Sequence, residues 1–235
     1  MPTILDLHAH SEASEDSRAP VEAYLNWIKM RRDALPLDGV VLTEHRQWNN
    51  PDYRALEDKF GIMVLKAAEV ETDYGHVLLF GVNDDITARF DFTNIRLSAQ
   101  QLIDEVARMG GIAVPCNPGR PNIGLYEHYQ KKPALKNVIA AELLNGGSRK
   151  GEDDRSAELI NKFGYKATGG SDSHLVSLIG LCATRFEAEI KSIDDLVREL
   201  RNGSYQPVDF RPGGIRQPQQ LSNLVEAFAS GIVHR

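Results

Sequence analysis

Two histidines stand two residues apart near the start of the chain, in the apolar run ILDLHAHS at residues 4–11. Extended backbone alternates side-chain faces with period two, so Asp6, His8 and His10 point to one side and Leu5, Leu7 and Ala9 to the other. Such a pair alone is also what a surface strand presents to water. It has company, however. Other apolar runs end in Glu44 and His45 (VVLTEH), Glu69 and Glu71 (KAAEVET), Asn117 (IAVPCNP), Glu142 and Asn145 (IAAELLNG), and Asp172 and His174 (TGGSDSH). Imidazole with carboxylate is the donor set of Zn²⁺, Mn²⁺ or Fe, and a carboxylate can bridge ions. These donors are too many for one tetrahedral ion, so more than one is implied. Clustered ions of this kind activate water and hold the attacking and leaving oxygens in phosphate-ester hydrolysis.

Such residues meet only if the elements carrying them share an edge. Short apolar runs alternate with amphipathic segments, the pattern of strand and helix units in a mostly parallel sheet or barrel. Strands are predicted over 3–8, 39–43, 63–69, 77–82, 112–115, 138–143 and 166–169. Helices are predicted over 20–32, from a Ser98/Gln101 capping box to Gly110-Gly111, over 155–163, and over 192–201. All the unusual polar residues then fall at carboxyl ends of strands, the face on which parallel barrels build active sites. Pro207, Pro212, Gly213, Gly214 and Pro218 mark residues 206–220 as an irregular arm, followed by a helix around 221–229 that packs on the body.

Length and composition fit this picture. The 235 residues suit one domain, and 42% hydrophobic with 26% charged residues describes a soluble globular chain. No run is long enough to cross a bilayer and no leader precedes the first strand, so a cytoplasmic location and no membrane partner are expected. Cys116 and Cys182, the only cysteines, read as reduced thiols. A net charge of −6 argues against strong nonspecific nucleic-acid binding, and the tail could pack on a neighbouring subunit to form a homo-oligomer.

DLHAHS, LTEH, AAEVET followed by GHVLLFG, GGIAVPCNPGRP, AELLNG and GGSDSH occur in the order and approximate spacing of the PHP (polymerase and histidinol phosphatase) family, which this chain resembles over about residues 4–205. The resemblance implies a distorted (β/α)7, TIM-like barrel over 1–205 with residues 206–235 as an extension packed on it. It also implies two or three divalent ions (Zn, Mn or Fe, with Mg as another candidate) and hydrolysis of a phosphomonoester or small phosphodiester by metal-bound hydroxide. By position, one ion would be held by His8, His10, Glu69 and Asp172, with Glu69 bridging to a second that uses His76. A third would take His45, His174 and an acidic residue of SEASEDS, where Glu15 at the usual offset is favoured over Asp16. His45, His174 and Asp172 would be the catalytic residues.

The chain departs from the family at Cys116-Asn117-Pro118, where the pattern is Ala-His-Pro. An amide oxygen from Asn117 is a poorer ligand than imidazole for Zn²⁺ or Fe and suits a harder ion, so the second site would be weak, differently filled or empty. Cys116 should face away from Asn117 as a small buried hydrophobe. Arg120 and Arg149 are candidates for gripping a substrate phosphate, and Glu142 for orienting a ligand. The partner expected is a small-molecule phosphate ester, possible substrates including a nucleotide or sugar phosphate. Two rivals stand beside this reading: a catalytically idle metal module that binds a nucleotide or partner, motivated by Asn117, and a metal-dependent amidohydrolase using the same ligands.

Overall fold

The computed structural model describes residues 1–48 and 51–212. The strands form where β-branched and aliphatic residues run together: β1 (Thr3–Ala9), β2 (Gly39–His45), β3 (Met63–Thr72), β4 (Gly75–Phe80), β5 (Ile112–Pro115), β6 (Ala140–Asn145), β7 (Lys166–Gly170), β8 (Cys182–Phe186) and β9 (Tyr205–Asp209). The helices are α1 (Val21–Met30), α2 (Arg54–Phe60), α3 (Asp84–Arg89), α4 (Ala99–Arg108), α5 (Glu152–Phe163) and α6 (Ile193–Asn202). Ser98 and Ser192 cap α4 and α6 by accepting from the amides of Gln101 and Asp195.

Seven strands form one curled sheet in the order β5-β4-β3-β2-β1-β8-β9, and β6 pairs with β7 in a second sheet that lies against β1, β8 and β9. Pairing is parallel for β1–β2, β2–β3 and β6–β7 and antiparallel for β3–β4, β4–β5, β1–β8 and β8–β9. The regular alternation of a (β/α)7 barrel is therefore not followed. Only a short turn separates β3 from β4, and so short a connection can make only an antiparallel hairpin. β8 and β9 are strands that the sequence reading did not place. Pro207 sits in β9 at the sheet edge, where a proline is tolerated, so residues 206–209 belong to the sheet and not to the expected arm. The helix expected around 221–229 and the rest of the arm beyond residue 212 lie outside the described residues.

Helices cover the outer surface through the stripes the sequence carries. Leu25 and Ile28 of α1 pack with Val40, Leu42 and Val64, while Leu102, Ile103 and Val106 of α4 pack with Val70 and Leu79. Leu196, Val197 and Leu200 of α6 meet Leu5, Phe80 and Ile112. Each fully buried aliphatic side chain contributes about 1.5–3 kcal/mol. No helix among the described residues is long and apolar enough to cross a membrane.

This topology brings distant residues to one rim. β1, β2 and β3 run in the same direction, and β5 shares it because β4 is antiparallel to both of its neighbours. A parallel bridge from Ala9 to Ser173 adds β7, and with it β6. The carboxyl ends of all six strands, together with the amino end of β4, therefore face the same space. Gly170 makes the β7 approach feasible, since a Cβ there would lie 2.3 Å from the His8 Cβ.

Candidate metal centre

Glu69 is the hub of the rim and is only 2% exposed. The β2–β3 register sets His45 directly beside it. Across the β3–β4 hairpin His76 pairs with Glu71, which makes Glu69 its diagonal neighbour on the same face. The chain after β7 hydrogen-bonds along the end of β1, Asp172 N to His8 O at 2.7 Å and His10 N to Ser173 O at 2.9 Å. That pairing brings Asp172 and His174 to the two histidines. Asp172 and Asn117 both adopt left-handed backbone, φ 52° and 47°, a conformation these two residue types tolerate and one that concentrates at functional sites.

One oxygen of Glu69, Oε2, lies 3.2 Å from His8 Nε2, 3.1 Å from His10 Nε2 and 3.2 Å from His45 Nδ1. Asp172 Oδ1 is 3.4 Å from both His8 Nε2 and His10 Nε2. One donor atom from each of His8, His10, Glu69 and Asp172 falls within 4.8 Å of the others, and the same holds for His10, His45 and His174. Among the described residues the buried His10 Nε2 has no partner in hydrogen-bonding geometry despite these close oxygens. An orphaned imidazole nitrogen aimed between two carboxylates is what a divalent cation would satisfy, and two imidazoles with two carboxylates suit Zn²⁺, Mn²⁺ or Fe. The residues present therefore fit the metal that the fold implies.

Outer contacts aim these ligands. Glu142 Oε1 lies 2.9 Å from His8 Nδ1, which turns Nε2 inward, and Glu142 Oε2 accepts from the amide of Asn117 at 2.9 Å and from Asn145 Nδ2 at 3.0 Å. Ser14 Oγ stands 3.3 Å from His10 Nδ1 and donates to Glu44, which also takes the hydroxyl and amide of Ser11. Tyr24 donates to the carbonyls of His10 and Ser173 at 2.7 and 2.9 Å, tying the two ligand segments together. Asp6 lies away from the cluster and accepts from the amides of Ser171 and Gly180, each at 2.8 Å; burial raises its carboxyl to about 6.

The electrostatics are those of a closely balanced group. Burial opposes charge on the histidines, but the carboxylates outweigh it, pushing His8 well above the ordinary imidazole value and His10 up to about 9. Burial likewise opposes ionisation of Glu69 and Asp172, yet the facing histidines hold both below the usual carboxylate range. At His45 burial prevails and lowers it to about 4, which leaves a neutral imidazole at pH 7.

Three expected positions differ in detail. Glu15 is exposed and pairs with Arg46, whereas Asp16 Oδ2 lies 3.4 Å from His45 Nε2 and 3.2 Å from His174 Nε2. Tight turns over Ser11–Ser14 and Ser14–Ser17 shift the phase of that loop by one residue. His76 Nδ1 is bonded to Glu69 Oε1 at 2.7 Å, but Asn117 turns its amide to Asp172 Oδ2 at 3.3 Å instead of joining them. Cys116, expected to face away as a plain hydrophobe, is buried yet directs its thiol at Glu69 Oε1, 3.4 Å away; burial first, then Glu69, raises it well above the usual thiol value.

Arg120 reaches the rim, with Nη2 3.2 Å from Asp172 Oδ2. Arg149 does not touch the ligands; it lines a cleft beside them that Arg120 shares. The sequence reading missed Ser11 and Ser14, whose only signal is their position between the histidine pair and the acidic loop.

Residues 151–205 match the PHP-associated family. Among solved structures, PsfC from Pseudomonas syringae superposes with a TM-score of 0.65 at 17% identity, covering 99% of each chain. The lesion-specific endonuclease Q of Pyrococcus furiosus gives 0.65 at 18% identity over 88% of this chain, which spans 58% of that protein. An endonuclease Q complex with a 27-mer duplex carrying an abasic lesion at the active site gives 0.64 at 17% with the same 88% and 58% coverage. A protein from Bifidobacterium adolescentis assigned to the metal-dependent phosphoesterases gives 0.52 at 16%, covering 83% and 94%. No curated protein matches this sequence.

Fold and cluster together define an α/β domain with a candidate centre for a divalent metal. Residues 151–205 carry the PHP-associated pattern, on a fold like that of endonuclease Q. One expectation is overturned: a small-molecule ester with no strong nucleic-acid binding does not follow, because endonuclease Q, of the same fold, holds duplex DNA at its active site. The net charge behind that expectation is a sum over the whole chain and is blind to where cations gather.

Proposed function

We propose that this chain is a metal-dependent phosphoesterase that cleaves a phosphodiester in a nucleic acid. The observation that carries the reading is the convergence of His8, His10, Glu69 and Asp172 around an unsatisfied imidazole nitrogen. Those four residues would hold one divalent ion; His45, His174 and Asp16 would hold a second, with His10 shared between the two groups. Ions so held supply Lewis acidity toward a phosphoryl oxygen and make water more acidic. Around them, Glu142 fixes the His8 tautomer and Ser14 with Glu44 fixes His10. The neutral His45 offers a lone pair at pH 7, to an ion or to a proton. The guanidinium of Arg120, with Nη2 3.2 Å from Asp172 Oδ2, would offer its other N–H groups to a phosphate.

Nucleic acid is favoured over a small ester by the cations beside the rim and by the endonuclease Q likeness. The position bounded by His76 and Asn117 is assigned no ion, since Glu69 Oε1 is already engaged by His76 and Cys116. Elemental analysis together with Mn²⁺-supported cleavage of labelled single- and double-stranded oligonucleotides tests the proposal. Bound metal with cleavage that disappears in Asp172→Ala is the expected outcome. Bound metal without turnover on any phosphodiester would favour the idle binding module instead.

A further inference from the structure

The rim opens on two clefts of opposite character. On the His76 side, about 440 Å³ is lined by Glu71, Asp73, Arg96, His128 and Lys132, a mixture in which Lys132 is already engaged with the Asp73 carbonyl. On the other side, about 640 Å³ is lined by Arg120, Arg149, Lys150 and Arg155, with Glu152 the only acidic group among the described residues. Glu152 is buried and occupied, accepting from the amide of Arg149 at 3.1 Å and lying 3.9 Å from Arg120 Nε. Arg120 lines both this cleft and the metal rim.

The four cations divide into two kinds. Arg120 and Arg155 are anchored, the first by Asp172 and the second by the Gly119 carbonyl at 2.7 Å. Arg149 and Lys150 are exposed, and among the described residues their side chains have no hydrogen-bond or ion-pair partner. Anchored guanidiniums at the wall with unpaired cations at the mouth suit an anion better than a structural salt bridge. Gly147 marks the passage between cleft and rim: a Cβ there would lie 3.5 Å from Arg120 Nη2 and 3.7 Å from Asp172 Oδ2. A missing side chain at this point lets a ligand pass over the backbone from one compartment to the other.

We infer that this cleft is a second phosphate subsite, which takes the phosphate next along a nucleic-acid strand while its neighbour lies at the metal rim. The inference rests on the proposed phosphodiesterase reading, and it gives the substrate a polarity: the strand leaves the rim over Gly147 toward Arg149 and Lys150, away from Glu71 and Asp73. It requires a substrate with at least one phosphate beside the scissile one.

The test uses the full chain, the double variant Arg149→Ala/Lys150→Ala, the charge reversal Arg149→Glu/Lys150→Glu, and a labelled single-stranded DNA octamer. In the octamer one flanking phosphate, on either side of the cleavage position, is replaced by an uncharged methylphosphonate. Binding is read by fluorescence anisotropy with Ca²⁺ present, and cleavage with Mn²⁺. Neutralising the two side chains is expected to weaken octamer binding about tenfold and to make the salt dependence shallower by about 1.4 in log–log slope. Charge reversal should weaken it further. In the double-mutant cycle, the methylphosphonate on one side should weaken wild-type binding and cost the double variant little more. Additive effects on both sides, or an unchanged salt slope, would overturn the subsite. The two readings fail separately: coupled binding without cleavage by any form removes the phosphodiesterase reading and leaves the subsite, whereas intact cleavage with uncoupled binding does the reverse.

Discussion

The two oxygens of Glu69 face different worlds. Around Oε2 stand His8, His10 and His45, each 3.1–3.2 Å away, with Asp172 alongside and the His10 nitrogen unsatisfied. Around Oε1 stand His76 at 2.7 Å and the Cys116 thiol at 3.4 Å, while Asn117 turns to Asp172. The first corner has more lone pairs than protons can satisfy in good geometry; the second is closed by hydrogen bonds. A single carboxylate thus sits between a corner poised for a cation and one already complete, and Asn117, which turns away to Asp172, makes much of the difference.

The largest effect should come from the Oε2 corner. Asp172→Ala removes a ligand whose carboxylate balances two histidines, and phosphodiester cleavage should fall by about 10³-fold or more, with loss of bound metal by elemental analysis. Activity within tenfold of wild type would break the contrast. Next in size is Glu142→Gln, which keeps the shape but weakens the acceptor on His8 Nδ1; metal affinity measured by competition with a chelating dye should drop by about 10–100-fold.

The pH dependence of metal binding sharpens the same corner. In the metal-free protein His10 stays protonated up to about 9, so below that pH a cation must displace its proton. Affinity should therefore rise from neutral pH toward about 9, where His10 loses its proton unaided, and should not fall above it, because His8 too is held well above the ordinary imidazole value. Calorimetry in buffers of different ionisation enthalpy should report proton release at pH 7. Binding without release would mean that the cation does not engage this nitrogen. Smallest is the effect expected at the Oε1 corner. His76→Ala should lower metal content little, whereas Asn117→His, which supplies the missing imidazole, should add binding capacity detectable by elemental analysis.

Much of this rim is legible in the sequence because strands impose period two and parallel strands share an edge. His8, His10, Glu69, Asp172 and His174 all lie at ends of runs apolar enough to be read as strands. Legibility fails where neither rule operates. The loop after β1 turns tightly at Ser11–Ser14 and Ser14–Ser17, so spacing could not choose Asp16 over Glu15. β8 and β9 escaped because CATRF is short and polar at its centre and YQPVD carries a proline. α2 is seven residues long with none fully buried, and Leu56 and Phe60 alone mark its inner face, too short a stripe to find. The orientations of Asn117 and Cys116 depend on a left-handed residue at 117, which a strand pattern does not anticipate.

Anomalous diffraction from a crystal soaked in Mn²⁺ tests the central claim most directly. The account predicts a peak between His8 Nε2, His10 Nε2, Glu69 Oε2 and Asp172 Oδ1. A peak elsewhere, with those four atoms still paired only to one another, would contradict it.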